Sequence, residues 1–340
     1  MKAAVFSYPP HVEIKEKEVP SPGDGEVVVQ VKAGALCGTD LRIARRGHGS
    51  IREGEERILG HEIVGIVARK GKNVEGLEEG MPVAVAPNYG CGKCAYCVRG
   101  LAHHCPETRA IGVTVDGGFA EFVLIPRKAV AQGNVVVLPD TTDLVSISFV
   151  EALACVVHGF LPLNVGFQDR VLIYGAGPIG LMFWELCQHA GAKDVWIVDL
   201  SATRLKVAEE RGARTLLAGK VSVKEAIGLV DVVIVAAPSP EAQKEALEIA
   251  GTYGRINFFG GLPPQIKEVP LPSNLIHYKE LLVTGTTKSN NFHFRYALDL
   301  LTSGALNLSY LVTHVLPLEE INQGLQLMES QQSLKVVLVP

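Results

Sequence analysis

The stretch VLIYGAGPIG, residues Val171–Gly180, decides the fold of the second half of the chain. Its first four residues are strand-like and lead into a Gly-x-Gly-x-x-Gly motif, and a helical pattern continues to Ala190. Glycines at this spacing suit a tight turn, a close approach of the backbone to a pyrophosphate, and close packing of the helix on the strand. The pyrophosphate would bind the free N–H groups that open the helix. On its own the motif is a weak signal, because a glycine-rich turn can also simply join a strand to a helix.

An acidic residue at the end of the next strand supports the dinucleotide interpretation. Asp199 follows the strand-like residues 194–198, about 20 residues after the last glycine of the motif. A carboxylate there can accept hydrogen bonds from both ribose hydroxyls and would repel a 2′-phosphate, so it favours NAD over NADP. Arg204 is the opposing signal, since an arginine near this position can bind that phosphate. The predicted cofactor-binding residues are Gly175, Gly177, Pro178, Ile179, Gly180, Asp199, Arg204 and Gly260.

The pattern along the chain predicts two domains of different class. Strand-like segments at 170–174, 194–199, 214–217, 231–236, 254–259 and 281–285, mostly separated by helical patterns, are typical of a doubly wound parallel sheet. The first 145 residues have short strands separated by glycine and proline, and their imperfect alternation favours an irregular, curved sheet. A last strand at 334–339 has no slot in the parallel sheet and is expected to return to the first domain.

Composition limits the classes of function. The chain has 340 residues, of which 47% are hydrophobic and 20% charged, as in a soluble globular protein. A net charge of −4 argues against binding to nucleic acid. We expect no apolar run near the roughly 20 residues that span a bilayer, and hence no membrane association. The short, strand-like N-terminus is unlike a signal peptide, which predicts a cytoplasmic location.

Four of the seven cysteines are clustered in one segment and indicate a metal site. In a chain expected to be cytosolic, such clustering favours metal over disulfides. Four thiolates can close a tetrahedral zinc site that leaves no position for substrate, so its role would be structural. An iron–sulfur cluster and four buried thiols remain as alternatives. The predicted ligands are Cys91, Cys94, Cys97 and Cys105.

Other candidate ligands are dispersed along the chain. Cys37 is predicted to end a strand, His61 and Glu62 to start another, and Glu151 to lie in an apolar helix. From the residues alone each has a structural explanation: a small buried thiol, a core histidine, and a carboxylate on a helix face.

The order of the motifs changes this assessment. GHEIVGIV at Gly60–Val67, the four-cysteine segment, DGGFAE at Asp116–Glu121 and the glycine-rich turn follow one another in an order that resembles the zinc-dependent medium-chain dehydrogenase family. The resemblance covers nearly the whole chain. It is strongest to the polyol (sorbitol-type) branch, since DLSATRL at Asp199–Leu205 is similar to the ribose-binding segment of that branch.

The resemblance implies a catalytic zinc held by Cys37, His61 and Glu62, with Glu151 as a further ligand or as the partner of a bound water. Alcohol-type members carry a later cysteine ligand, but the matching position here is alanine and Cys155 follows it. Thr39 matches the hydroxyl that passes a proton outward. Many relatives then carry a histidine where this chain has Arg42, and an arginine cannot accept a proton. Thr39, Glu62 and Glu151 are therefore the predicted catalytic residues.

The resemblance also implies an architecture and a reaction. We expect a discontinuous, mainly-β GroES-like catalytic domain (residues 1–149 and 291–340) and a Rossmann domain (150–290). Two zinc ions per chain, one catalytic and one structural, and NAD would serve hydride transfer from a secondary alcohol of a polyol or sugar-like substrate. The alternatives are a threonine- or simple-alcohol-type enzyme, a zinc-free nucleotide-binding reductase, and a zinc-ribbon module that binds nucleic acid. Members of the family are usually homotetramers or homodimers.

The segment after Thr39 leaves the nature of the substrate open. Arg45, Arg46 and His48 either line the mouth of the active site, where they could contact an anionic group, or form a solvated charged surface.

Overall fold

The computed structural model describes residues 1–340, which contain eighteen strands and eleven α-helices. The strands are β1 (Lys2–Ser7), β2 (His11–Glu16), β3 (Val27–Ala35), β4 (Arg57–Ile58), β5 (Glu62–Lys70), β6 (Pro82–Val85), β7 (Asn88–Tyr89), β8 (Arg109–Ala110), β9 (Phe122–Ile125), β10 (Val135–Val137), β11 (Arg170–Tyr174), β12 (Asp194–Asp199), β13 (Arg214–Leu217), β14 (Val230–Val235), β15 (Ala250–Phe258), β16 (Leu282–Gly285), β17 (Val312–Pro317) and β18 (Lys335–Val339). The helices are α1 (Gly38–Arg46), α2 (Arg127–Ala131), α3 (Leu144–Ile147), α4 (Val150–Phe160), α5 (Pro178–His189), α6 (Ala202–Glu210), α7 (Val223–Ile227), α8 (Pro240–Ile249), α9 (Asn274–Tyr278), α10 (Asn291–Thr302) and α11 (Ile321–Glu329). Short 3₁₀ turns lie at Cys97–Arg99, Ala102–His104, Leu161–Leu163, Ser309–Leu311 and Leu318–Glu320.

The chain divides into two compact units. The first combines residues 1–154 with residues 288–340, and the second is residues 155–287. The first unit is built on a seven-stranded sheet in the order β10-β6-β5-β3-β18-β17, in which β9 also pairs with β3. Valines and isoleucines of β3, β5, β6 and β9 form a buried core on this sheet.

The last strand of the chain completes the sheet of the first unit. β18 pairs antiparallel with β3, and Val337 lies opposite Ala35. On its other edge Ala35 lies opposite Glu62, the first residue of β5. The end of β3 is therefore flanked by the start of β5 and by β18, and this register creates the site described below.

The second unit is a six-stranded, all-parallel sheet in the order β13-β12-β11-β14-β15-β16. Its central strands are apolar on both faces, as parallel strands covered by helices must be. The strand order reverses around β11, between β12 and β14, and sheets of this kind bind their ligands at such a switch point. The strands β11, β12 and β13 have the predicted bounds.

Two expectations from the sequence are wrong. Residues Leu144–Leu163 form a helical stretch that is long and apolar enough to cross a membrane, although no such run was expected. Because 61% of its most apolar window is buried inside the protein, it has the character of a core helix. The segment after Cys37 was expected to be strand and loop, but residues Gly38–Arg46 form a helix.

Candidate active site and metal centres

Cys37 is held at the start of α1 rather than at the end of a strand. β3 stops at Ala35, and Cys37 is the residue that caps the helix. Its backbone N–H donates a 2.9 Å hydrogen bond to Asp40 Oδ2 in the first helical turn. An acidic residue there accepts a hydrogen bond from a free N–H group, and its negative charge is attracted to the positive end of the helix dipole. This local bond fixes the position from which the Cys37 thiol extends.

Cys37, His61 and Glu62 meet although they come from different elements. One ligand atom from each lies within 4.8 Å of the others. Tetrahedral zinc with bonds of about 2.0–2.3 Å separates its ligand atoms by roughly 3.3–3.8 Å, so these three atoms are close enough for one ion to draw them together. His61 and Glu62 are buried and Cys37 is half-buried. Sulfur, nitrogen and oxygen donors together are typical of a zinc site.

Asp40 lies beside the histidine of this set. Its Oδ1 lies 3.3 Å from His61 Nδ1, and both side chains are almost fully buried. Burial lowers the pKa of His61, but the negative charges of Asp40 and Cys37 outweigh it and raise the pKa well above its usual value. A carboxylate behind a ligating histidine is the common arrangement in metal sites. The sequence analysis gave Asp40 no role, although it lies in the same CGTD segment as Cys37.

Lys335 is the second residue that the sequence analysis missed. Its Nζ donates hydrogen bonds of 2.7 and 2.6 Å to the two carboxylate oxygens of Glu62 and one of 3.2 Å to the Leu36 carbonyl. Because β18 and β3 are antiparallel, continuing their register places Lys335 level with Cys37. The single lysine in the apolar run LKVVLV could have indicated a buried ion pair, because a lysine that is buried needs a charged partner.

Burial and mutual attraction act in opposite directions on the pKa values of Glu62 and Lys335. Burial raises the pKa of Glu62 to about 7, although the charges of Lys335 and His61 oppose this shift. Burial lowers the pKa of Lys335, but the attraction of Glu62 outweighs it and raises the pKa above its usual value. Glu62 is wholly buried, so its charge depends on Lys335 and on whatever cation the three-residue set binds.

Glu151 lies close to this centre but outside the three-residue set. It is buried on α4, and its negative charge acts on both Glu62 and Lys335. Its role as a zinc ligand or water partner therefore stays a prediction. Cys155, one turn further along α4, does not join the set either.

Thr39 and Arg42 are linked on α1. Arg42 Nη2 donates a 2.8 Å hydrogen bond to Thr39 Oγ1, as their spacing of three residues on a helix permits. The guanidinium thus occupies one acceptor position of the hydroxyl that was predicted to pass a proton.

The four clustered cysteines form a second compact set. Their sulfur atoms all lie within 4.8 Å of one another, with Cys91–Cys97 at 4.0 Å and Cys94–Cys97 at 3.6 Å. Sulfurs bound tetrahedrally to one zinc ion are about 3.8 Å apart. The backbone N–H groups of Lys93 and Cys94 lower the pKa of Cys91 to about 6, which favours the thiolate form that binds metal.

The glycine-rich turn has the close packing that its motif predicts. A Cβ at Gly180 would lie 1.7 Å from the carbonyl oxygen of Gly175, so no larger residue fits without a backbone shift. Pro178 is at the first position of α5, where its fixed φ suits a helix and its missing N–H costs nothing. The helix start next to this turn has the form of a pyrophosphate site.

Asp199 and Arg204 both contact the glycine-rich turn. Asp199 Oδ2 accepts a 2.7 Å hydrogen bond from the Ala176 N–H, and its Oδ1 accepts another from Ser201. A Cβ at Gly177 would lie 3.8 Å from Arg204 Nη1, and Arg204 Nε is buried without a hydrogen-bond partner. That orphaned donor fits a site that takes an anionic cofactor. Gly260 lies just after β15, and its N–H bonds to the Val235 carbonyl at the end of β14.

Comparison with known proteins identifies the family. The model described as "Alcohol dehydrogenase GroES-like domain" matches residues 23–139, and that described as "Zinc-binding dehydrogenase" matches residues 178–303. The chain belongs to the zinc-binding dehydrogenases. An L-threonine 3-dehydrogenase of Bacillus velezensis is 33% identical to this zinc-binding dehydrogenase, over 96% of this chain and 95% of its own length.

Solved structures share the whole fold of this zinc-binding dehydrogenase. A zinc-binding dehydrogenase of Sinorhizobium meliloti 1021 bound to NADP has a TM-score of 0.91 at 32% identity, covering 100% of this chain and 99% of that one. A galactitol-1-phosphate dehydrogenase of Escherichia coli has a TM-score of 0.88 at 28% identity and covers 100% of both chains. The protein is thus an NAD(P)-dependent oxidoreductase that acts on CH–OH groups, with zinc and a nicotinamide dinucleotide as its cofactors.

Proposed function

We propose that this enzyme oxidises a secondary alcohol of a small polyol or sugar-derived substrate, with NAD as the hydride acceptor. The observation that supports this most strongly is the convergence of Cys37, His61 and Glu62, with Glu151 near them. The zinc-free reductase is disfavoured because such a protein has no reason to keep this buried donor set. We propose that these residues hold the catalytic zinc and that the four clustered cysteines hold a structural one.

Residues around the candidate zinc ligands position them to bind a zinc ion and, through it, a substrate hydroxyl. Zinc in such a site acts as a Lewis acid that lowers the pKa of a bound hydroxyl group. Asp40 lies 3.3 Å from His61, and Lys335 donates hydrogen bonds to both oxygens of Glu62, so each of these two ligands has a charged neighbour in place before substrate arrives.

The proton of the substrate hydroxyl must leave by a route that avoids Arg42. Thr39 accepts a hydrogen bond from Arg42, whose guanidinium stays protonated and cannot take the proton onward. Glu151 is a buried carboxylate whose charge acts on both Glu62 and Lys335, so we propose it as the general base, acting directly or through water.

The contacts of Asp199 support NAD rather than NADP. Its two carboxylate oxygens accept hydrogen bonds from the backbone N–H groups of Ala176 and Ser201, and their charge would oppose a 2′-phosphate. Arg204 would then bind the pyrophosphate of the cofactor and not a 2′-phosphate. Comparing kcat/KM with NAD and NADP tests this assignment; a preference for NADP would reverse it.

L-Threonine oxidation is the second candidate. It is favoured by the curated relative named L-threonine 3-dehydrogenase, which matches nearly the whole chain. A panel of polyols, sugar acids, sugar phosphates and L-threonine, read by NADH absorbance, separates the two candidates.

The decisive experiment for the mechanism is Glu151→Gln, which removes the charge and keeps the shape. We expect kcat to fall by about 10²- to 10⁴-fold, the usual contribution of a general base, with the Kd for NADH unchanged. Cys155→Ser on the same helix is the matched control and should retain activity. Unchanged kcat in Glu151→Gln would exclude the carboxylate from catalysis, and a fall in zinc content would make it a ligand.

We further propose that the protein is a cytoplasmic homotetramer or homodimer. Light scattering coupled to gel filtration gives the mass of the assembly directly, and a mass of 36.5 kDa, that of one chain, would contradict this proposal.

A further inference from the structure

Helix α10 carries a row of exposed side chains along one face. Phe292, Arg295, Tyr296 and Asp299 are all exposed, and their spacings of three and four residues place them together on the helix surface. The apolar residues on the opposite side, such as Ala297, are buried. The core therefore fixes the orientation of the helix, and this row remains on the surface of the first unit.

Two aromatic rings form the apolar part of the exposed face. The side chain of Phe292 is 61% exposed and that of Tyr296 is 42% exposed, and their ring centroids are 6.2 Å apart. Aromatic side chains contribute most of the energy of many protein–protein contacts and are enriched at their centres. A neighbouring pair of exposed rings therefore indicates a surface that contacts another protein chain.

A groove of about 350 Å³ separates α10 from β10, which is the strand at one edge of its sheet. The N–H of Leu138 and the carbonyl of Asn134 bond to the β6 side at 2.8 Å each. Because alternate residues of an antiparallel strand direct their backbone groups to opposite edges, those of Val135 and Val137 point away from β6. The side chain of Val137 is also 43% exposed. An apolar edge of this kind favours contact with another chain.

The two charged residues of the exposed face both line this groove. Arg295 and Asp299 are one helical turn apart, but the guanidinium of Arg295 donates a 3.1 Å hydrogen bond to the Gly133 carbonyl and none to Asp299. That bond holds the arginine beside the start of β10. It uses one of the five guanidinium N–H groups, so the others remain able to bind a carboxylate from another chain.

The order of these side chains makes the face complementary to a copy of itself. When two α10 helices pack antiparallel about a two-fold axis beside Ala297, residues at equal distances on either side of Ala297 lie opposite each other. Arg295 of one copy then lies opposite Asp299 of the other, once on each side of the axis, and Phe292 lies opposite Thr302. A two-fold axis along the helix would instead place like charges together. The charges therefore favour the antiparallel arrangement.

We propose that the exposed face of α10, together with the free edge of β10, is a contact surface between two copies of this chain. This inference rests on the homodimer or homotetramer proposed above and names a surface that forms it. The rings of Phe292 and Tyr296 are buried at the centre of the contact, and the reciprocal pairs of Arg295 with Asp299 set its antiparallel register. The second copy also covers the exposed side chain of Val137.

Charge reversal tests this contact. Arg295→Glu places two carboxylates opposite each other on both sides of the axis, and Asp299→Arg places two guanidinium groups there. Each should raise the dissociation constant of the assembly by about 100-fold or more, as measured by light scattering over a dilution series of the full chain. The swapped double variant Arg295→Asp/Asp299→Arg restores opposite charges, and its constant should return to within about tenfold of wild type.

Two further variants complete the test. Phe292→Ser leaves the charges in place and removes an aromatic ring, and it should weaken the assembly by about tenfold or more. Lys244→Glu, at an exposed position on α8 in the other unit, is the control and should assemble as wild type. All of these positions are exposed, so the Tm of each variant and its Kd for NADH should be unchanged.

Three results would overturn the proposal, and they differ from one another. If the assembly persists in both single reversals, α10 is not a contact between copies, although the proposed oligomer stands. If the swapped double variant dissociates as readily as the single variants, the reciprocal pairing is wrong. If the wild-type chain is monomeric at every concentration, the proposed oligomer fails as well, and the exposed face of α10 belongs to a different partner. None of these results bears on hydride transfer, which the substrate panel tests separately.

Discussion

Replacing Lys335 by methionine tests whether the missed lysine supports the metal centre. The substitution keeps an unbranched side chain of similar length and removes the ammonium that bonds to both oxygens of Glu62. Since Glu62 is wholly buried, its carboxylate would lose its positive partner without gaining water. Breaking a buried ion pair on one side costs about 3–5 kcal/mol. At 1.4 kcal/mol per factor of ten, this equals a roughly 100- to 5,000-fold change in the local opening equilibrium.

Hydrogen exchange measured by mass spectrometry reports that equilibrium strand by strand. On protein treated with a chelator, so that no metal ion shares the charge of Glu62, exchange in peptides from β5 and β18 should accelerate by this factor. Peptides from β11 and β12, in the other unit, should be unaffected. Lys335→Arg should preserve protection, and the double variant Lys335→Met/Glu62→Gln should regain most of it because no buried charge remains. Acceleration of less than about tenfold, or equal acceleration in both units, would refute the claim that Lys335 stabilises the strands around Glu62.

Three further predictions concern the cofactor site, the cysteine segment and pH. Gly180→Ala should weaken NADH binding by about tenfold or more in a fluorescence titration, because its Cβ would clash with the Gly175 carbonyl, and an unchanged Kd would show that the turn adapts. Cys97→Ser should reduce the zinc measured by mass spectrometry by one ion per chain and expose residues 91–105 to protease, whereas Cys187→Ser, at a buried cysteine outside the set, should do neither. Burial and the bonded Glu245 raise the pKa of Tyr174 above its usual value, so the stability that this tyrosine provides is present below about pH 10 and lost as pH rises further. Tyr174→Phe should therefore show a smaller drop in Tm between pH 9 and 11 than wild type, as followed by tryptophan fluorescence, and an identical drop would contradict this account.

The parallel sheet was predictable because its signals are local. The glycine spacing, the apolar strands and the acidic residue that ends β12 lie close together in the sequence, and the predicted bounds of β11 and β12 match the structure. α1 was missed because its cap is a cysteine, which is outside the usual set of capping residues, and because the helix is short and polar.

The residues of the candidate metal centre could be selected from the sequence only in part. Cys37, His61 and Glu62 were selected because of a family resemblance, since each has an ordinary structural explanation when taken singly. The Glu62–Lys335 contact joins residues 273 positions apart. No local pattern encodes such a contact, because it depends on the register of β18 against β3. Once the strand order is known, the lone lysine becomes the expected partner of a buried glutamate.

The discontinuity of the first unit has a consequence for how the protein matures in the cell. The ribosome releases residues 155–287 as one uninterrupted segment, so that unit has all of its own strands before residues 288–340 are made. The first unit is completed later, because β18, which pairs with β3, follows residues 155–287 in the chain. Until then Glu62 has no ammonium beside it. A nascent chain truncated before residue 335 should therefore hold a finished nucleotide fold alongside an immature metal pocket.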